Sequence, residues 1–581
     1  MTEWQAREQA RRMLARESGV IRKPHGGRLR VALAFPNTYF VGMSNLGFQT
    51  VYRLFNELDD VVCERVFLPP RQELQARLAA RVPLVTLESQ TRVSEFDVFA
   101  FSVSFEWDYT NILTMLRLAG LPIYAADRDA RHPLVVFGGA VTFLNPEPLA
   151  PFADVVAAGE GEVLVPALVR ALAGSADRAS LFRRLAQEPG FYIPSLYDVV
   201  YADDGTIERF EPVAGSGAPP VVRKAAVRSP EATDPPHTVV FTPDTEFGSR
   251  FLVEVVRGCA NLCRFCWAGY NYLPVRAFPA ERILELARRA RPFASRVGLV
   301  SIALCDHPEI ERLLAELAAM GYTISPASLR LDDLTPGIVR RLRESGEHTL
   351  TIAPETGSDR LRRVINKTIT NAEILEKAEL IFASGVENLK LYFMIGLPTE
   401  TDDDLVAIRD LTAQLRALMV RHASGSGRIG RIVASVNPLV PKPGTAYQWL
   451  PMEDPRVTER KAARLRELVA PLENVYFNIK SERQSYYQAL LSLGDRRLAP
   501  AIEIAERNGG RWREAVAEAG IDAGFYIFRD RTRDRVLPWD IIDGGMKAAF
   551  FRAELDKAFR AEWTLPPKRQ AETARYLPVL G

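Results

Sequence analysis

The chain is poor in cysteine, has no long apolar run and carries almost no net charge, and each shortage limits its class. Five cysteines in 581 residues, three of them close together, do not form the pattern of a disulfide framework, so a reducing cytoplasm is expected. No stretch approaches the roughly 18 uninterrupted apolar residues of a membrane span, and the N-terminus lacks the apolar core of a signal peptide. A net charge of +2 argues against a surface directed at polyanions, although a local basic patch stays open.

What is present is typical of a large globular protein. With 47% hydrophobic and 25% charged residues, the chain has enough apolar area for sizeable cores, and its length predicts roughly three to four domains. Composition shifts separate an N-terminal helical arm, a first α/β domain, a linker, a second α/β domain and a mainly helical C-terminal domain. The expected boundaries are 1–27, 28–200, 201–248, 249–451 and 452–581.

Apolar runs that alternate with helical stretches in the first domain imply parallel strands and a doubly wound, Rossmann-like sheet. The runs are Leu29–Phe35, Val61–Phe67, Val98–Val103, Leu134–Phe137 and Val155–Ala158. Glycine-rich turns follow the last two runs, at Gly138-Gly139 and from Gly159 to Glu162. The segment that comes next is rich in Pro, Gly, Ala and Ser, and it is expected to be a linker or a wrapping loop with little helix.

Six further strand–helix repeats predict a partial (β/α)6 barrel in the second α/β domain, with active groups at the carboxyl ends of the strands. The strand candidates are Phe251–Val256, Val297–Ala303, Thr323–Leu329, Thr349–Ala353, Leu389–Met394 and Arg431–Val436. The C-terminal domain is expected to be mostly helical, with Arg496 and Arg497 on a solvated helix face.

Three cysteines lie on the loop after the first barrel strand, in the spacing C-x3-C-x2-C at Cys259, Cys263 and Cys266. Three thiolates are one short of the four that close an iron–sulfur cube or a tetrahedral zinc site. One metal position would therefore stay open, which favours a redox-active [4Fe–4S] cluster that binds a ligand. A zinc site is the weaker alternative, because the nearest further ligands are Cys305 and His307. A chance cluster is the remaining alternative.

Other barrel strands end in polar or glycine-containing turns. Glu355 follows the fourth strand, where it would bind a ribose diol or simply cap the next helix. Gly396 follows the fifth strand and allows a ligand to approach the backbone, although an ordinary strand-to-helix turn has the same composition. Asn437 begins a proline-rich loop after the sixth strand.

Residues 250–450 resemble a radical S-adenosylmethionine (SAM) core. The resemblance lies in the cysteine loop with Phe265, in Glu355-Thr-Gly-Ser-Asp-Arg360, in Met394-Ile-Gly-Leu-Pro-Thr-Glu400 and in Pro443-Gly-Thr445. Residues 28–170 resemble the cobalamin-binding domain that precedes this core in the B12-dependent subclass. The late segments Ser492–Arg497 and Leu537–Asp540 resemble a bacterial branch of that subclass.

The resemblance implies roles in the barrel. The three loop cysteines would ligate the cluster, whose fourth iron would chelate SAM; one electron would then release methionine and a 5′-deoxyadenosyl radical. The second-strand motif of the family is degenerate here and maps near Ser301. Ser328 and Arg330 would bind the SAM carboxylate, with an ion pair to Asp332 or Asp333 as the alternative for Arg330. Cys305 would donate a proton or hydrogen atom, or merely pack.

On the cobalamin side, the resemblance implies a set of residues at the sheet's carboxyl edge. They are Asn37, Gly42, Ser102, Ser104, Gly138, Gly139, Gly159 and Glu160. No histidine lies in the Asp-x-His-x-x-Gly pattern that binds cobalt from below, so Tyr39 or Phe40 would cover that face. The alternative is a Rossmann-like domain without cobalamin.

The function expected from the resemblance is B12-dependent radical methylation of an unactivated carbon, with an external electron donor of the flavodoxin or ferredoxin type. A cobalamin-independent dehydrogenation, cyclisation or RNA base modification is the second hypothesis, and a non-catalytic iron–sulfur carrier or scaffold is the third. The substrate would be a small molecule, a lipid or a peptide. The near-neutral net charge gives nucleic acid little support.

Overall fold

A computed structural model of the chain describes residues 2–326, 330–331, 334–423 and 429–565. The N-terminal part forms a six-stranded sheet in the order β2-β1-β3-β4-β5-β6, in which only β6 is antiparallel. Its strands are β1 Leu29–Phe35, β2 Val61–Phe67, β3 Val98–Ser102, β4 Leu134–Gly138, β5 Val155–Ala157 and β6 Phe191–Tyr192. The five predicted strands are therefore confirmed to within one residue.

Helices cover both faces of this sheet, as its continuously apolar strands require. They are α1 Glu3–Leu14, α2 Tyr39–Met43, α3 Leu46–Glu57, α4 Arg71–Ala79, α5 Tyr109–Leu118, α6 Gly161–Ala173 and α7 Arg178–Leu185. One face packs on α3 and α6. The other face packs on α5 and shares one hydrophobic core with the C-terminal helices. The strand order reverses between β1 and β3, which opens a crevice at the carboxyl edge of the sheet.

The segment predicted as a linker is tied to all other parts of the chain. It contains a hairpin and one short strand, β7 Tyr197–Tyr201, β8 Ile207–Pro212 and β9 Val222–Arg223. Further along, Phe241 bridges to Ser18 of the N-terminal arm, and His237 bridges to Val253 of the barrel. This segment therefore wraps around the molecule instead of spacing two domains.

The barrel consists of two four-stranded sheets, ordered β11-β10-β12-β13 and β14-β15-β16-β17. Its strands are β10 Phe251–Arg257, β11 Arg276–Ala277, β12 Arg296–Ser301, β13 Thr323–Pro326, β14 Thr349–Glu355, β15 Asn388–Ile395, β16 Ile432–Pro438 and β17 Val475–Ile479. All six predicted strands are present, and the described part of the third ends at Pro326. The two additional strands are β11, a short antiparallel partner of β10, and β17, which extends the second sheet from a region expected to be helical.

The helices of this part are α8 Trp267–Asn271, α9 Ala280–Ala290, α10 Ile310–Ala319, α11 Pro336–Glu344, α12 Asp359–Val364, α13 Asn371–Ala383, α14 Asp402–Ala423 and α15 Pro455–Val469. Helices α9, α10, α11, α13, α14 and α15 form a single core with the barrel strands. In contrast, α8 and α12 pack into the core that the N-terminal sheet shares with the C-terminal helices. No helix among the described residues is long and apolar enough to cross a membrane.

The C-terminal part is mainly helical, as expected, and packs against the N-terminal sheet. Its elements are α16 Glu482–Leu493, α17 Ala499–Arg507, α18 Trp512–Glu518, α19 Ala523–Ile527, β18 Ile542–Asp543 and α20 Ala548–Phe559, with β18 pairing with β9.

The two arginines expected on a solvated face are instead anchors of the C-terminal part. Arg496 donates to the buried carboxylate of Glu147 at 2.8 Å. The Arg497 guanidinium lies 3.8 Å from the ring centroid of Tyr201. The local sequence gives no sign of these contacts, because both partners come from residues near 147–201.

Candidate active site

The cysteine loop begins where β10 ends. Gly258, which follows Arg257, has a φ of +94°, and a β-carbon there would lie 2.4 Å from the carbonyl oxygen of Tyr272. Only glycine fits this close, left-handed turn. The turn sends the chain into Cys259, Cys263 and Cys266, and α8 starts directly after the third cysteine.

All three cysteines line one cavity of about 190 Å³ at the carboxyl end of the barrel. Burial raises the pKa of all three thiols, that of Cys263 to about 12. Lys367 lines the same cavity and works in the opposite direction on Cys263, because its positive charge favours the thiolate. Buried thiols of this kind ionise when a metal takes them as ligands. The donor set therefore fits a metal cluster.

The cysteines are the only thiols that line this cavity among the described residues. In the part of the chain that the structure describes, no three His, Cys, Asp or Glu side chains converge as they would around a single metal ion. A tetrahedral zinc site needs four ligands at one atom, and the described lining of the cavity contains neither a fourth cysteine nor a histidine.

Glu355 and Arg330 line the same cavity as the cysteines. The Lys367 ammonium donates to Glu355 Oε1 at 3.4 Å, and burial raises the pKa of that carboxyl. Arg330 Nη1 donates to Asp306 Oδ2 at 3.2 Å. Two predicted SAM-binding residues thus reach the cluster cavity, while Ser328 and the expected alternative partners of Arg330, Asp332 and Asp333, lie outside the described residues.

Before the first cysteine, Arg257 anchors the loop to the N-terminal part. Its guanidinium bonds Glu160 at 2.9 Å, Glu162 at 2.8 Å and Glu254 at 2.7 Å. Arg276 adds two bonds to Glu160, at 2.7 and 2.9 Å. Burial opposes ionisation of Glu160, but the two arginines outweigh it and lower the pKa of this carboxyl.

Between the second and third cysteines, Arg264 anchors the loop to the C-terminal part. Its side chain is fully buried and donates to Glu554 Oε2 of α20 at 3.1 Å. It also donates to the carbonyl oxygens of Arg363, Val364 and Glu562, at 2.7, 3.1 and 2.9 Å. The sequence analysis missed this anchor, since Glu554 lies 290 residues away and no local pattern links the two.

A second cavity, of about 480 Å³, lies between the N-terminal sheet and the barrel. Seven predicted cofactor-binding residues line it, namely Ser102, Ser104, Gly138, Gly139, Gly159, Glu160 and Ser301. Its apolar floor continues between the sheet and helices α3 and α6, along Leu33, Ala100 and Val136. Ile302 lines both cavities, so the two are adjacent.

Three residues expected at this second cavity lie elsewhere, so those expectations are corrected. The Tyr39 hydroxyl donates to Glu17 Oε1 at 2.5 Å, and its ring packs edge-on against Phe67. The Asn37 amide donates to Asp108 at 2.9 Å. A β-carbon at Gly42 would lie 2.5 Å from Phe67. Within the described residues none of the three lines either cavity, because local packing holds them in the loop after β1 and in helix α2.

The remaining predicted residues lie on the barrel rim. Cys305, in the turn Leu304–Asp306, packs against the barrel core and lines neither cavity among the described residues. The Gly396 N–H donates to Glu400 Oε2 at 2.7 Å, and its φ of +76° requires glycine. Asn437 lies one residue before the end of β16, beside Met394, and is half-buried. The structure therefore gives no support to a role for Cys305 as a hydrogen donor.

Comparison with known families agrees with this geometry. Residues 47–194 match the model for the N-terminal region of radical SAM proteins, and residues 253–412 match the radical SAM superfamily. The two matches together cover more than half of the chain. The chain belongs to the radical SAM superfamily. This family implies a [4Fe–4S] cluster and SAM, and the three thiols of the smaller cavity fit the cluster.

Individual relatives are distant from this radical SAM enzyme. An uncharacterized protein of Methanocaldococcus jannaschii is 27% identical over 483 residues, which are 82% of this chain and 91% of that protein. The tRNA-2-methylthio-N(6)-dimethylallyladenosine synthase of Pseudoalteromonas atlantica is 26% identical over 182 residues, 28% of this chain and 38% of that protein.

Among solved structures, the radical SAM methyltransferase TsrM from Kitasatospora setae aligns with 85% of this chain and 100% of its own, at 12% identity and a TM-score of 0.49. The cobalamin-dependent radical SAM enzyme OxsB aligns at 14% identity and a TM-score of 0.44, over 66% of this chain and 52% of its own.

If Arg264 holds the cysteine loop in place, loss of its partner Glu554 should lower the amount of cluster that the protein binds. Glu554→Gln leaves the buried guanidinium without its counter-charge, which costs about 3 kcal/mol in buried pairs. We expect a lower thermal unfolding temperature and less bound iron after anaerobic reconstitution. The control is Glu562→Gln, because that exposed carboxylate pairs with Arg560 and only its backbone contacts Arg264. Equal iron content in both variants would contradict the role of the anchor.

Proposed function

We propose that this enzyme cleaves SAM reductively at a cluster held by Cys259, Cys263 and Cys266, and that it uses cobalamin in the larger cavity to methylate an unactivated carbon. The observation that carries the proposal is the pair of adjacent cavities. One is lined by the three thiols and the other by a glycine-rich edge over an apolar floor, and Ile302 borders both. Two cofactors placed there would act on a shared substrate.

In the smaller cavity, the protein supplies thiolates, shielding and charge balance. When bound, a cluster of this type delivers one electron to SAM and splits it into methionine and a 5′-deoxyadenosyl radical. The three cysteines would hold the cluster, and Phe265 lines the cavity beside them, where it limits contact with water. Lys367 offsets the negative charge of the thiolates.

Other residues of the smaller cavity would orient SAM. Arg330 offers a planar guanidinium that suits the SAM carboxylate, and it would exchange part of its contact with Asp306 for that ligand. Glu355 ends β14 with a φ of +66° and lines the cavity. Its carboxylate would accept hydrogen bonds from the ribose, and the positive charge of Lys367 favours its ionised form against the effect of burial on its pKa.

In the larger cavity, the protein offers space, apolar contact and a charged rim. When bound, cobalamin supplies a cobalt that accepts and donates a methyl group. A β-carbon at Gly138 would make only ordinary contacts, the nearest at 3.7 Å to the Ala157 carbonyl oxygen. Its neighbour Gly139 is different: its φ is +102° and a β-carbon would lie 2.5 Å from the Val103 carbonyl. Local packing thus requires glycine at Gly139 but not at Gly138, where the absence of a side chain would leave room for the ligand.

No histidine is among the described residues that line the larger cavity. The cobalt would therefore receive no imidazole from this part of the chain. The rim formed by Glu160 and Arg257 would contact the polar edge of the cofactor.

The first test is SAM cleavage. Alanine at Cys259, Cys263 or Cys266 should reduce 5′-deoxyadenosine formation, measured with a strong reductant after anaerobic reconstitution, to the level without protein. The matched control is Cys63→Ala, because Cys63 is buried in β2 away from the barrel. Absence of 5′-deoxyadenosine from the unaltered protein, or equal yields from the cysteine variants, would contradict the proposal.

The second test concerns cobalamin. Gly138→Leu should place its side chain in the larger cavity and abolish corrinoid binding, while Gly138→Ala should leave most of it. Both variants should retain the iron–sulfur absorption, since Gly138 does not line the smaller cavity. The measurement is the corrinoid spectrum after anaerobic incubation with hydroxocobalamin and gel filtration. Equal corrinoid content in the leucine and alanine variants would argue against this location.

A further inference from the structure

The second barrel sheet presents one face to the outer helices and the other to the barrel lumen. Leu389, Leu391 and Phe393 of β15 belong to the outer core, as do Ile432, Ala434 and Val436 of β16. The alternating residues therefore face the lumen. They are Lys390, Tyr392 and Met394 of β15, Val433, Ser435 and Asn437 of β16, and Tyr476 and Asn478 of β17.

This lumen face is open to solvent. Tyr392 is 42% exposed and Tyr476 is 58% exposed, although both lie on strands of a parallel sheet. A closed barrel fills its interior with layers of side chains. Here the sheet ends at β17, and the lumen retains room beside two aromatic rings.

Two lysines meet at the upper end of this face. The backbone N–H of Lys480 donates to the Val436 carbonyl at 2.9 Å, which places Lys480 directly after β17 and next to Asn437. Its ammonium donates to Gln488 Oε1 at 3.3 Å, a neutral partner. Lys442, on the loop after β16, bonds Glu106 from the N-terminal part.

Glu106 is linked to both lysines, directly to Lys442 and through Gln488 to Lys480. The Gln488 amide also donates to Glu106 Oε2 at 3.4 Å, so Glu106, Gln488 and the two lysines form one group. The side chains of Lys442 and Glu106 are only 14% and 7% exposed. Burial and the positive charge of Lys442 both lower the pKa of Lys480. The two lysines carry two positive charges and Glu106 carries one negative charge. The half-buried group therefore has one excess positive charge.

We propose that Lys480 and Lys442 bind an oxyanion of the substrate, a carboxylate or a phosphate, while Tyr392 and Met394 contact its apolar or planar body. This substrate class rests on the proposed function, because it places the substrate in the barrel lumen. Tyr392 is in register with Asn478 two strands away, and Lys480 lies two residues beyond Asn478. With strands about 4.8 Å apart and a rise of about 3.3 Å per residue, the backbones of Tyr392 and Lys480 are roughly 12 Å apart. One small molecule spans that distance.

The charge of the site fits a small anion and not a polyanion. A single excess positive charge balances one carboxylate or most of one phosphate, and Glu106 would repel a longer chain of phosphates. The whole protein carries a net charge of only +2. We therefore assign the site to a small organic acid or phosphate monoester.

The test is competitive acetylation of lysines in the full chain, reconstituted with iron and sulfide but without reductant. Peptide mass spectrometry follows the acetylation rate of Lys480, with Lys390 at the lower end of the lumen face as the internal reference. The probes are benzoate and phenyl phosphate, with benzyl alcohol as the neutral analogue and sodium chloride holding the ionic strength constant. We expect at least one anion to slow acetylation of Lys480 about threefold or more relative to Lys390, by raising its pKa and covering it.

The variant Lys442→Met should remove this protection, since it keeps the length of the side chain and deletes one charge. Protection by benzoate alone would identify a carboxylate, and protection by phenyl phosphate alone a phosphate. Equal rates with anions, benzyl alcohol and chloride would overturn the proposal. Stronger protection by a short oligothymidylate than by either anion would overturn it in favour of a nucleic acid. Because no reductant is present, this outcome is independent of SAM cleavage.

Discussion

The rest of the structure depends on two buried arginines that hold the cysteine loop. Arg257 precedes the first cysteine and is surrounded by carboxylates of the N-terminal part and the barrel. Arg264 lies inside the loop and bonds α20 and the end of α12. Buried ion pairs contribute little net stability, but breaking one is costly, so they fix a single geometry. The position of the three thiols is therefore set by all parts of the chain together.

This anchoring brings two parallel sheets together at their carboxyl edges. The N-terminal sheet contributes its crevice, where the order of β1 and β3 reverses, and the barrel contributes the ends of β10, β12 and β14. Both edges are places where α/β proteins bind ligands. The Glu160–Arg257 contact joins them, because Arg257 ends the strand that leads to the cysteines. The two cavities are thus adjacent, with Ile302 lining both.

The sequence predicts the features that depend on local pattern. Strands β1 and β2 begin and end at the predicted residues, because their apolar runs are sharply bounded. The cysteine spacing predicts the cluster loop, because the whole motif lies within eight consecutive residues, Cys259 to Cys266. Long-range contacts escaped prediction: Glu554 for Arg264, Glu147 for Arg496 and Glu17 for Tyr39. Strand β17 was missed because it is short and lies between two helical stretches.

The central claim is that the three cysteines leave one cluster iron open and that SAM binds it. Electron–nuclear double resonance of the reduced, reconstituted protein tests this directly, with SAM labelled at its amino nitrogen or its carboxylate. The account predicts a coupling of the cluster spin to both labels, and its loss when Cys263 is replaced by alanine. A cluster spectrum that shows no coupling to either label at saturating SAM would contradict it.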